Sequence, residues 1–242
     1  MAKVTRDNTS AQIIGITGSV GKTTLKNLVA FALKNYGKVY HSPHSYNNKF
    51  GVPLSLSNLK KNIEYGIFEI GMDKKGEIGN LSKIVKPEIA IITNISGAHF
   101  KNFNTLKDIA KAKAEIIDNI LEGGNIILNK DDRFFNFLSN KAKKKGINVI
   151  SFSSKKKADI FLLAKRRIKN HYIYLFSFRT HRSIVRYVSD LPQMHVNGRY
   201  PDPARTCKRE LRRSPQLLHP LHLSGDRALR AQALPLPHVQ EF

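Results

Sequence analysis

Eight residues near the N-terminus constrain the fold of this chain more than any other segment. The motif Thr17-Gly18-Ser19-Val20-Gly21-Lys22-Thr23-Thr24 follows an apolar run at residues 13–16 and precedes residues 25–36, where apolar side chains recur with helical spacing. A buried strand, a glycine loop and a helix that begins with Lys-Thr form a cradle for phosphate groups, because backbone N–H groups and the helix N-terminus face the anion. The motif therefore predicts a phosphate-binding loop (P-loop) within an α/β sheet.

The residue types in this loop fit a nucleoside triphosphate. In loops of this kind the lysine, here Lys22, reaches the β- and γ-phosphates, and the next hydroxyl group, here that of Thr23, binds Mg²⁺. The spacing departs from the general pattern, because Ile16 stands where that pattern has a glycine and Gly18 supplies the additional one. The alternative is a glycine-rich turn that contains Lys-Thr by chance, and the flanking strand and helix patterns argue against it.

The length and composition favour a cytoplasmic globular protein. With 242 residues, 41% of them hydrophobic, the chain is long enough for one α/β domain or two small ones. It has no run of about 18 apolar residues and no apolar signal segment near its polar N-terminus, so we expect no membrane span. A single cysteine, Cys207, excludes a disulfide framework.

The net charge of +23 raises the alternative of a basic, nucleic-acid-binding NTPase that uses the P-loop as a motor. The lysines are spread over many segments, and few aromatic residues lie between them to stack on bases. We therefore interpret the charge as a solvated, lysine-rich surface and expect no nucleic-acid partner.

The composition changes abruptly near residue 178. Residues 1–178 contain 26 Lys and 4 Arg, whereas residues 179–242 contain 1 Lys and 10 Arg. A junction to foreign sequence explains this change, and a genuine disordered basic tail is the alternative. We therefore divide the chain into an N-terminal remnant (1–11), an incomplete nucleotide-binding domain (12–178) and a tail (179–242) that we expect to be disordered and without catalytic residues.

Strand and helix patterns alternate before that junction, which predicts a mostly parallel sheet with helices on both faces. The pattern includes one long helix over residues 106–121 and a final β-hairpin over residues 160–178. In such sheets, ligands bind beyond the carboxyl ends of the strands. Glu69, Asn94 and His99 lie at the ends of predicted strands, so we expect them at the same edge as the P-loop.

Four side chains are candidates for binding a metal ion or carrying a functional charge at this site. Glu69 interrupts an apolar strand, and because an unpaired buried carboxylate is costly, it is either a Mg²⁺ ligand or the partner of a nearby lysine. His99 is either a metal ligand or an ordinary loop histidine. Lys111 and Lys113 point about 200° apart on a helix, so only one of them can face the site, and the alternative is that both are surface lysines.

Five further sequence segments, taken together with the P-loop, match the motif pattern of one known protein family. They are Asn47-Asn48-x-x-Gly51-Val52-Pro53, Glu69-Ile70-Gly71, Thr93-Asn94-Ile95 with Ala98-His99, Ala110-Lys111-Ala112-Lys113 and Asn129-Lys130-Asp131-Asp132. In order, spacing and identity, residues 10–178 resemble the central ATP-binding domain of the Mur ligase family, and within it the members that add D-alanyl-D-alanine. Another Mur ligase or a folylpolyglutamate synthase is the alternative, and the Asn-Asn…Gly-Val-Pro element argues against it.

The resemblance implies an ATP-dependent ligase of peptidoglycan synthesis. ATP would phosphorylate the carboxylate of UDP-MurNAc-tripeptide, and the amine of D-alanyl-D-alanine would attack the resulting acyl phosphate. In this family one lysine is carbamylated by CO₂ and becomes a metal-binding carboxylate; Lys113 matches that position, and Lys111 is the alternative.

The same resemblance assigns the site residues. The catalytic group is Lys22, Glu69, His99 and Lys113; the ATP site is Thr17, Gly18, Ser19, Val20, Gly21, Lys22, Thr23, Thr24, Asn94 and Asn129; the Mg²⁺ ligands are Thr23, Glu69, His99 and carbamylated Lys113; and Asn48 contacts the UDP-substrate. The family's UDP-binding and closing domains have no recognisable counterpart here. Because closure positions the reacting groups, we expect a monomer that binds ATP weakly and does not complete the ligation.

Overall fold

The computed structural model describes residues 1–97, 102–168, 171–178 and 182–187, all within one compact unit that spans residues 1–190. The elements in chain order are α1 (Ala2–Asp7), β1 (Gln12–Thr17), α2 (Lys22–Leu33), β2 (Val39–His41), α3 (Gly51–Ser57), β3 (Tyr65–Glu69), α4 (Glu77–Val85), β4 (Ile89–Ile92), α5 (Leu106–Lys113), a 3₁₀ helix (Ala114–Asn119), β5 (Asn125–Asn129), α6 (Phe135–Lys144), β6 (Asn148–Ser153), β7 (Ile160–Ile168), β8 (His171–Phe178) and β9 (Arg182–Tyr187).

The strands form one sheet in the order β2-β3-β1-β4-β5-β6-β7-β8-β9. Strands β1 to β7 run parallel, and β8 and β9 pair antiparallel at one edge. The predicted α/β class with a mostly parallel sheet is therefore confirmed. β1 lies between β3 and β4, so the chain leaves it at a point where connections diverge to both sides, which is where ligands bind in open α/β sheets.

Alternating residues of the central strands point to opposite faces of the sheet and contribute to two apolar layers, one on each face. On one face, Ile14, Ile16 and Ile67 pack under α2 with Leu25 and Val29. The other face is the larger core, to which helices α3, α4, α5 and α6 and the 3₁₀ helix contribute buried side chains. Burial on both faces explains why these strands read as continuous apolar runs in the sequence. Among the described helices, none is long and apolar enough to cross a membrane.

The predicted helix over residues 106–121 was wrong in its second half, because α5 ends at Lys113 and a tighter 3₁₀ helix follows. Tertiary hydrogen bonds accompany the change. The Glu115 carboxylate accepts the backbone N–H groups of Gly76 (2.8 Å) and Gly79 (2.9 Å) at the start of α4, and the Asn119 amide donates to the Gly79 carbonyl at 3.1 Å. Contacts of this kind override the intrinsic preference of a segment and are not readable from periodicity.

The sheet continues past residue 178, where we placed the domain boundary, because β9 pairs with β8. Residues 188–242 lie outside the described part of the chain, so the disorder expected in the tail stays a prediction.

The N-terminal segment that we expected to be a remnant contains α1, which is anchored to the core by Arg6. The buried guanidinium donates to the backbone carbonyls of Val85 (2.7 Å) and Lys86 (2.6 Å) at the end of α4, and to Glu88 Oε1 at 2.6 Å. Glu88 Oε2 in turn accepts the Ile13 N–H at 2.6 Å. One side chain thus connects α1, the end of α4 and the start of β1.

Replacing Arg6 with alanine should lower the free energy of unfolding by about 3 kcal/mol, because two carbonyls and a carboxylate lose a charged donor at a largely buried position. Urea unfolding followed by circular dichroism measures the change. Lys3→Ala on the exposed side of α1 is the matched control, and its effect should stay within about 0.5 kcal/mol. Equal effects of the two substitutions would show that Arg6 is not an anchor.

Candidate nucleotide-binding site

The P-loop lies at the carboxyl end of β1, between the ends of β3 and β4. Ile16 is in register with Glu69 of β3, and Thr17 is in register with Ile92 of β4. Gly21 has a φ of +80° and is the N-cap of α2, so the chain turns sharply and the first helical N–H groups face the loop. This is the local structure that the motif predicted.

The segment after β4 holds the P-loop in shape. The Asn94 carbonyl accepts the Ser19 N–H at 3.0 Å, and Asn94 Oδ1 accepts the Val20 N–H at 3.2 Å. The Thr93 hydroxyl donates to the Val20 carbonyl at 2.7 Å, and the Ser19 hydroxyl donates to the Ser96 carbonyl at 3.0 Å. In this structure the Asn94 side chain therefore shapes the loop, while its predicted contact with the nucleotide stays a prediction.

Gly18 is the position where the loop tolerates no side chain. Its φ is +151°, and a Cβ atom built there would lie 1.8 Å from Thr93 Oγ1. The close approach of the loop to the Thr93 hydroxyl therefore requires glycine at this position.

Lys22 lies over the loop that it follows. Its ammonium donates to the Gly18 carbonyl at 3.0 Å and approaches the Ser19 carbonyl at 3.4 Å. Burial lowers the pKa of Lys22, and the negative charge of Glu69 opposes that change. Lys22 and Glu69 thus interact electrostatically, and Glu69 lies at the carboxyl end of β3, next to the strand that leads into the P-loop.

Glu69 is the centre of a buried polar cluster, with 1% of the residue exposed. Its Oε2 accepts the Thr23 hydroxyl at 2.7 Å and lies 3.8 Å from the Lys26 ammonium. Its Oε1 accepts the Asn47 side-chain amide at 2.7 Å. A hydroxyl and a carboxylate oxygen side by side at a P-loop are hard donors of the kind that Mg²⁺ prefers, so these residues fit the ion that the sequence predicted.

The two candidate lysines of α5 lie in different environments. Lys113 is buried, with 1% exposed, whereas the Lys111 side chain is 52% exposed and lies 4.0 Å from Asp108. Burial, and to a smaller extent the positive charge of Lys22, together lower the pKa of Lys113 to about 7. Lys113 is therefore the lysine that lies within electrostatic reach of the P-loop. His99, the fourth predicted catalytic residue, lies outside the described residues.

Two other predicted site residues have local structural contacts, and a third is exposed. Asn48 Oδ1 accepts the backbone N–H group of Gly51 at 2.9 Å at the start of α3. Asn129 Oδ1 accepts the Asp131 N–H at 2.9 Å in the turn after β5. Thr24 is exposed on the first turn of α2. The predicted contacts of these residues with substrate or nucleotide stay predictions.

Our sequence analysis did not assign Lys26, Ser45 or Asn47 to the site, although all three belong to the polar cluster around Glu69. Lys26 follows Lys22 by four residues, so the two lysines share one face of α2, and this spacing was the available signal. Ser45 and Asn47 lie within three residues of Asn48 in the sequence. The family resemblance assigned a substrate contact to Asn48, and we predicted no role for these two neighbours.

A parallel α/β sheet, a glycine loop at its switch point, and the Lys22, Thr23 and Glu69 side chains around that loop define a nucleotide-binding domain of the P-loop type. The sequence profile described as "Mur ligase middle domain" matches residues 16–194. The chain belongs to the Mur ligase family, whose members are ATP-dependent amide ligases.

Relatives of known name agree with this assignment. The chain is 39% identical over 164 residues to the UDP-N-acetylmuramoyl-tripeptide–D-alanyl-D-alanine ligase of Rickettsia prowazekii, a match that covers 67% of this chain and 36% of that protein. A crystal structure of MurF from Acinetobacter baumannii superposes with a TM-score of 0.72 at 30% identity, covering 77% of this chain and 41% of the other. MurF from Thermotoga maritima in complex with ADP gives a TM-score of 0.67 at 29% identity, with 76% and 42% covered. The chain thus spans well under half the length of these relatives.

Proposed function

We propose that this chain is the nucleotide-binding part of a ligase that joins D-alanyl-D-alanine to UDP-MurNAc-tripeptide at the expense of ATP. The observation that carries the proposal is the convergence of Lys22 and the Thr23–Glu69 pair at one edge of the sheet. The buried amine of Lys113, whose pKa is affected by the charge of Lys22, supports it. The identity of 39% to a ligase that bears this name favours D-alanyl-D-alanine over the other amines that the family adds.

The proposed reaction has two steps. The γ-phosphoryl group of ATP passes to the tripeptide carboxylate, which leaves ADP and an acyl phosphate. The amine of D-alanyl-D-alanine then attacks the acyl carbon, an amide bond forms, and inorganic phosphate leaves with its bonding electron pair while the amine loses a proton. Both steps move negative charge among phosphate oxygens, so a site needs fixed positive charge and exact placement.

The residues of this chain would supply part of that placement. The Lys22 ammonium would leave its loop carbonyls for the β- and γ-phosphate oxygens, and N–H groups of the loop and of the first turn of α2 would hold the phosphates. Thr23 and Glu69 would hold Mg²⁺, which neutralises phosphate charge when bound. We further propose His99 and carbamylated Lys113 as metal ligands, Asn94 and Asn129 near the nucleotide, and Asn48 near the UDP-substrate.

The setting follows from the reaction. The substrates are peptidoglycan precursors, so we propose a cytoplasmic protein that acts as a monomer and does not bind nucleic acid. Salt-sensitive binding to DNA or RNA with ATP hydrolysis stimulated by the polymer would favour the basic NTPase instead.

Isothermal titration with ATP and Mg²⁺ tests the nucleotide site. Lys22→Met should weaken binding of the nucleotide by about tenfold to thirtyfold, because a charged donor to the phosphates is lost. Lys34→Met, at the exposed end of the same helix, is the matched control and should leave the dissociation constant unchanged. Absence of measurable binding by the unmodified chain, or equal binding by the Lys22 variant, would contradict the proposal.

The choice of substrate is tested separately by phosphate release from ATP. Release that requires both UDP-MurNAc-tripeptide and D-alanyl-D-alanine would support the named reaction and would also overturn our expectation that this chain does not complete the ligation. Release that requires a single amino acid in place of the dipeptide would assign the chain to another member of the family.

A further inference from the structure

Lys26 is a buried cation that the proposed reaction does not use. It lies on the second turn of α2 and is 1% exposed, so its ammonium must be compensated by protein groups. It donates to the Ser42 carbonyl at 2.8 Å and to the His44 carbonyl, and it lies 3.8 Å from Glu69 Oε2. A single side chain of the P-loop helix therefore contacts both the loop after β2 and the proposed metal ligand.

Residues 42–48, which we call the β2–α3 loop, reach the same ligand pair from the other side. The Ser45 hydroxyl lies 3.2 Å from the Thr23 hydroxyl, and the Asn47 amide donates to Glu69 Oε1 at 2.7 Å. The Asn47 carbonyl accepts the Gly71 N–H at 2.7 Å, which fixes the far end of the loop next to β3. The position of this loop thus determines where the Ser45 hydroxyl lies relative to Thr23 and where the Asn47 amide lies relative to Glu69.

The backbone of the loop is strained at the point that Lys26 holds. His44 has a φ of +43°, a left-handed conformation that is unfavourable for a residue with a side chain and that persists only where the surroundings enforce it. Its carbonyl is one of the two that accept from Lys26. The ammonium therefore stabilises a loop conformation that the chain would not adopt by itself.

We infer that Lys26 is a positioning residue: it fixes the β2–α3 loop against the P-loop helix and thereby aligns the Thr23–Glu69 pair for a divalent cation. Glu69 is thus held from three directions, by the Thr23 hydroxyl, the Asn47 amide and the Lys26 charge. The first half of the inference concerns the loop alone, and the second half, the link to the cation, rests on the proposed function.

Hydrogen–deuterium exchange on the chain without nucleotide tests the first half. Lys26→Met retains the length and apolar stem of the side chain and removes its donors, so peptides that cover residues 42–48 should exchange at least about tenfold faster. Peptides from β1 and β4 should be unchanged, as should every peptide in the Lys34→Met control. Unchanged exchange at residues 42–48, or a uniform increase throughout the sheet, would overturn the positioning role.

If Lys26→Met does not fold, Lys26→Gln carries the same comparison, since its side chain is uncharged and one bond shorter and so cannot donate to both the Ser42 and the His44 carbonyls as the ammonium does. Faster exchange confined to residues 42–48 in that variant would again support the inference, and exchange equal to that of the unmodified chain would overturn it.

Titration of ATP with Mg²⁺ and, separately, with a chelator tests the second half. In Lys26→Met the gain in affinity that Mg²⁺ provides should fall by about tenfold, whereas affinity without Mg²⁺ should be unchanged, because the loop contacts Thr23 and Glu69, the two proposed ligands of the cation. An unchanged Mg²⁺ effect would overturn the link to the cation. If the unmodified chain bound no nucleotide, the proposed function would fail, while the exchange experiment would still decide whether Lys26 anchors the loop.

Discussion

Gly18→Ala is expected to weaken binding of Mg²⁺ and ATP by at least about a hundredfold. A Cβ at this position would lie 1.8 Å from Thr93 Oγ1 and 2.9 Å from Thr93 Cβ, so the loop and the start of the segment after β4 cannot both keep their places. The Thr93 hydroxyl cannot simply turn away, because it donates to the Val20 carbonyl at 2.7 Å. Overpacking and a φ of +151° together cost about 3 kcal/mol. If the loop relieves this strain by giving up its phosphate-binding conformation, the same energy appears as a roughly hundredfold loss of nucleotide affinity.

Gly123→Ala separates this clash from the general effect of removing a glycine with positive φ. Gly123 has a φ of +72° in the turn before β5, and a Cβ there would meet no atom within 4 Å. Its replacement should lower the free energy of unfolding by about 1 kcal/mol and leave nucleotide affinity unchanged. Titration calorimetry gives the affinities, and urea unfolding gives the stabilities. Tight binding by a folded Gly18→Ala variant would show that the loop needs no close approach to Thr93.

Much of the fold was predictable because short-range patterns determine it. The helix from Glu77 to Val85 was predictable, since its apolar residues recur with helical spacing and Pro87 follows its end. The central strands were also predicted, because burial on both faces makes them continuously apolar. The order of these elements was enough to place the P-loop and Glu69 at one edge of a parallel sheet.

The features that the sequence did not reveal depend on partners distant in the chain. The end of α5 accompanies hydrogen bonds from Glu115 to Gly76 and Gly79, which lie 39 and 36 residues away. Lys26 is charged, and the pattern of α2 alone does not show that two carbonyls and a carboxylate surround it. Arg6 belongs to a helix of six residues, too short for a periodic signal.

In the candidate site, too, some features follow from a local motif and others depend on residues distant in the chain. The positions of Lys22 and Thr23 at the P-loop were predictable from the local motif, because eight consecutive residues encode this strand–loop–helix structure. The residues of α5 alone left the choice between Lys111 and Lys113 open, because it depends on which side of the helix faces the core, and only the family resemblance favoured Lys113. Exposure of 52% for the Lys111 side chain against 1% for Lys113 now separates them.

Lys113→Met is expected to raise the free energy of unfolding at pH 7 by about 3–4 kcal/mol, the reverse of the usual effect of a buried substitution. Burial lowers the pKa of Lys113 to about 7 in the folded chain, whereas an unfolded lysine titrates near its ordinary value of 10.5. Between these two pH values the unfolded state binds the additional proton, so stability rises with pH through this window. Below pH 7 both states are protonated, and the full penalty of burying the ammonium remains.

The pH dependence makes this prediction specific to titration of Lys113. In buffers free of bicarbonate, so that the amine stays unmodified, the unmodified chain should gain about 2 kcal/mol of stability between pH 7 and pH 9, and Lys113→Met should lose that part of the slope. Lys111→Met, two residues away on the exposed side of α5, should change neither the stability nor the slope. A slope that survives in Lys113→Met would place the titrating group elsewhere. A pKa of about 7 leaves about half of the Lys113 amines neutral at pH 7, and a neutral amine is the form that reacts with CO₂. The destabilisation that this experiment is expected to detect would therefore have the same origin as the reactivity that the proposed carbamylation requires.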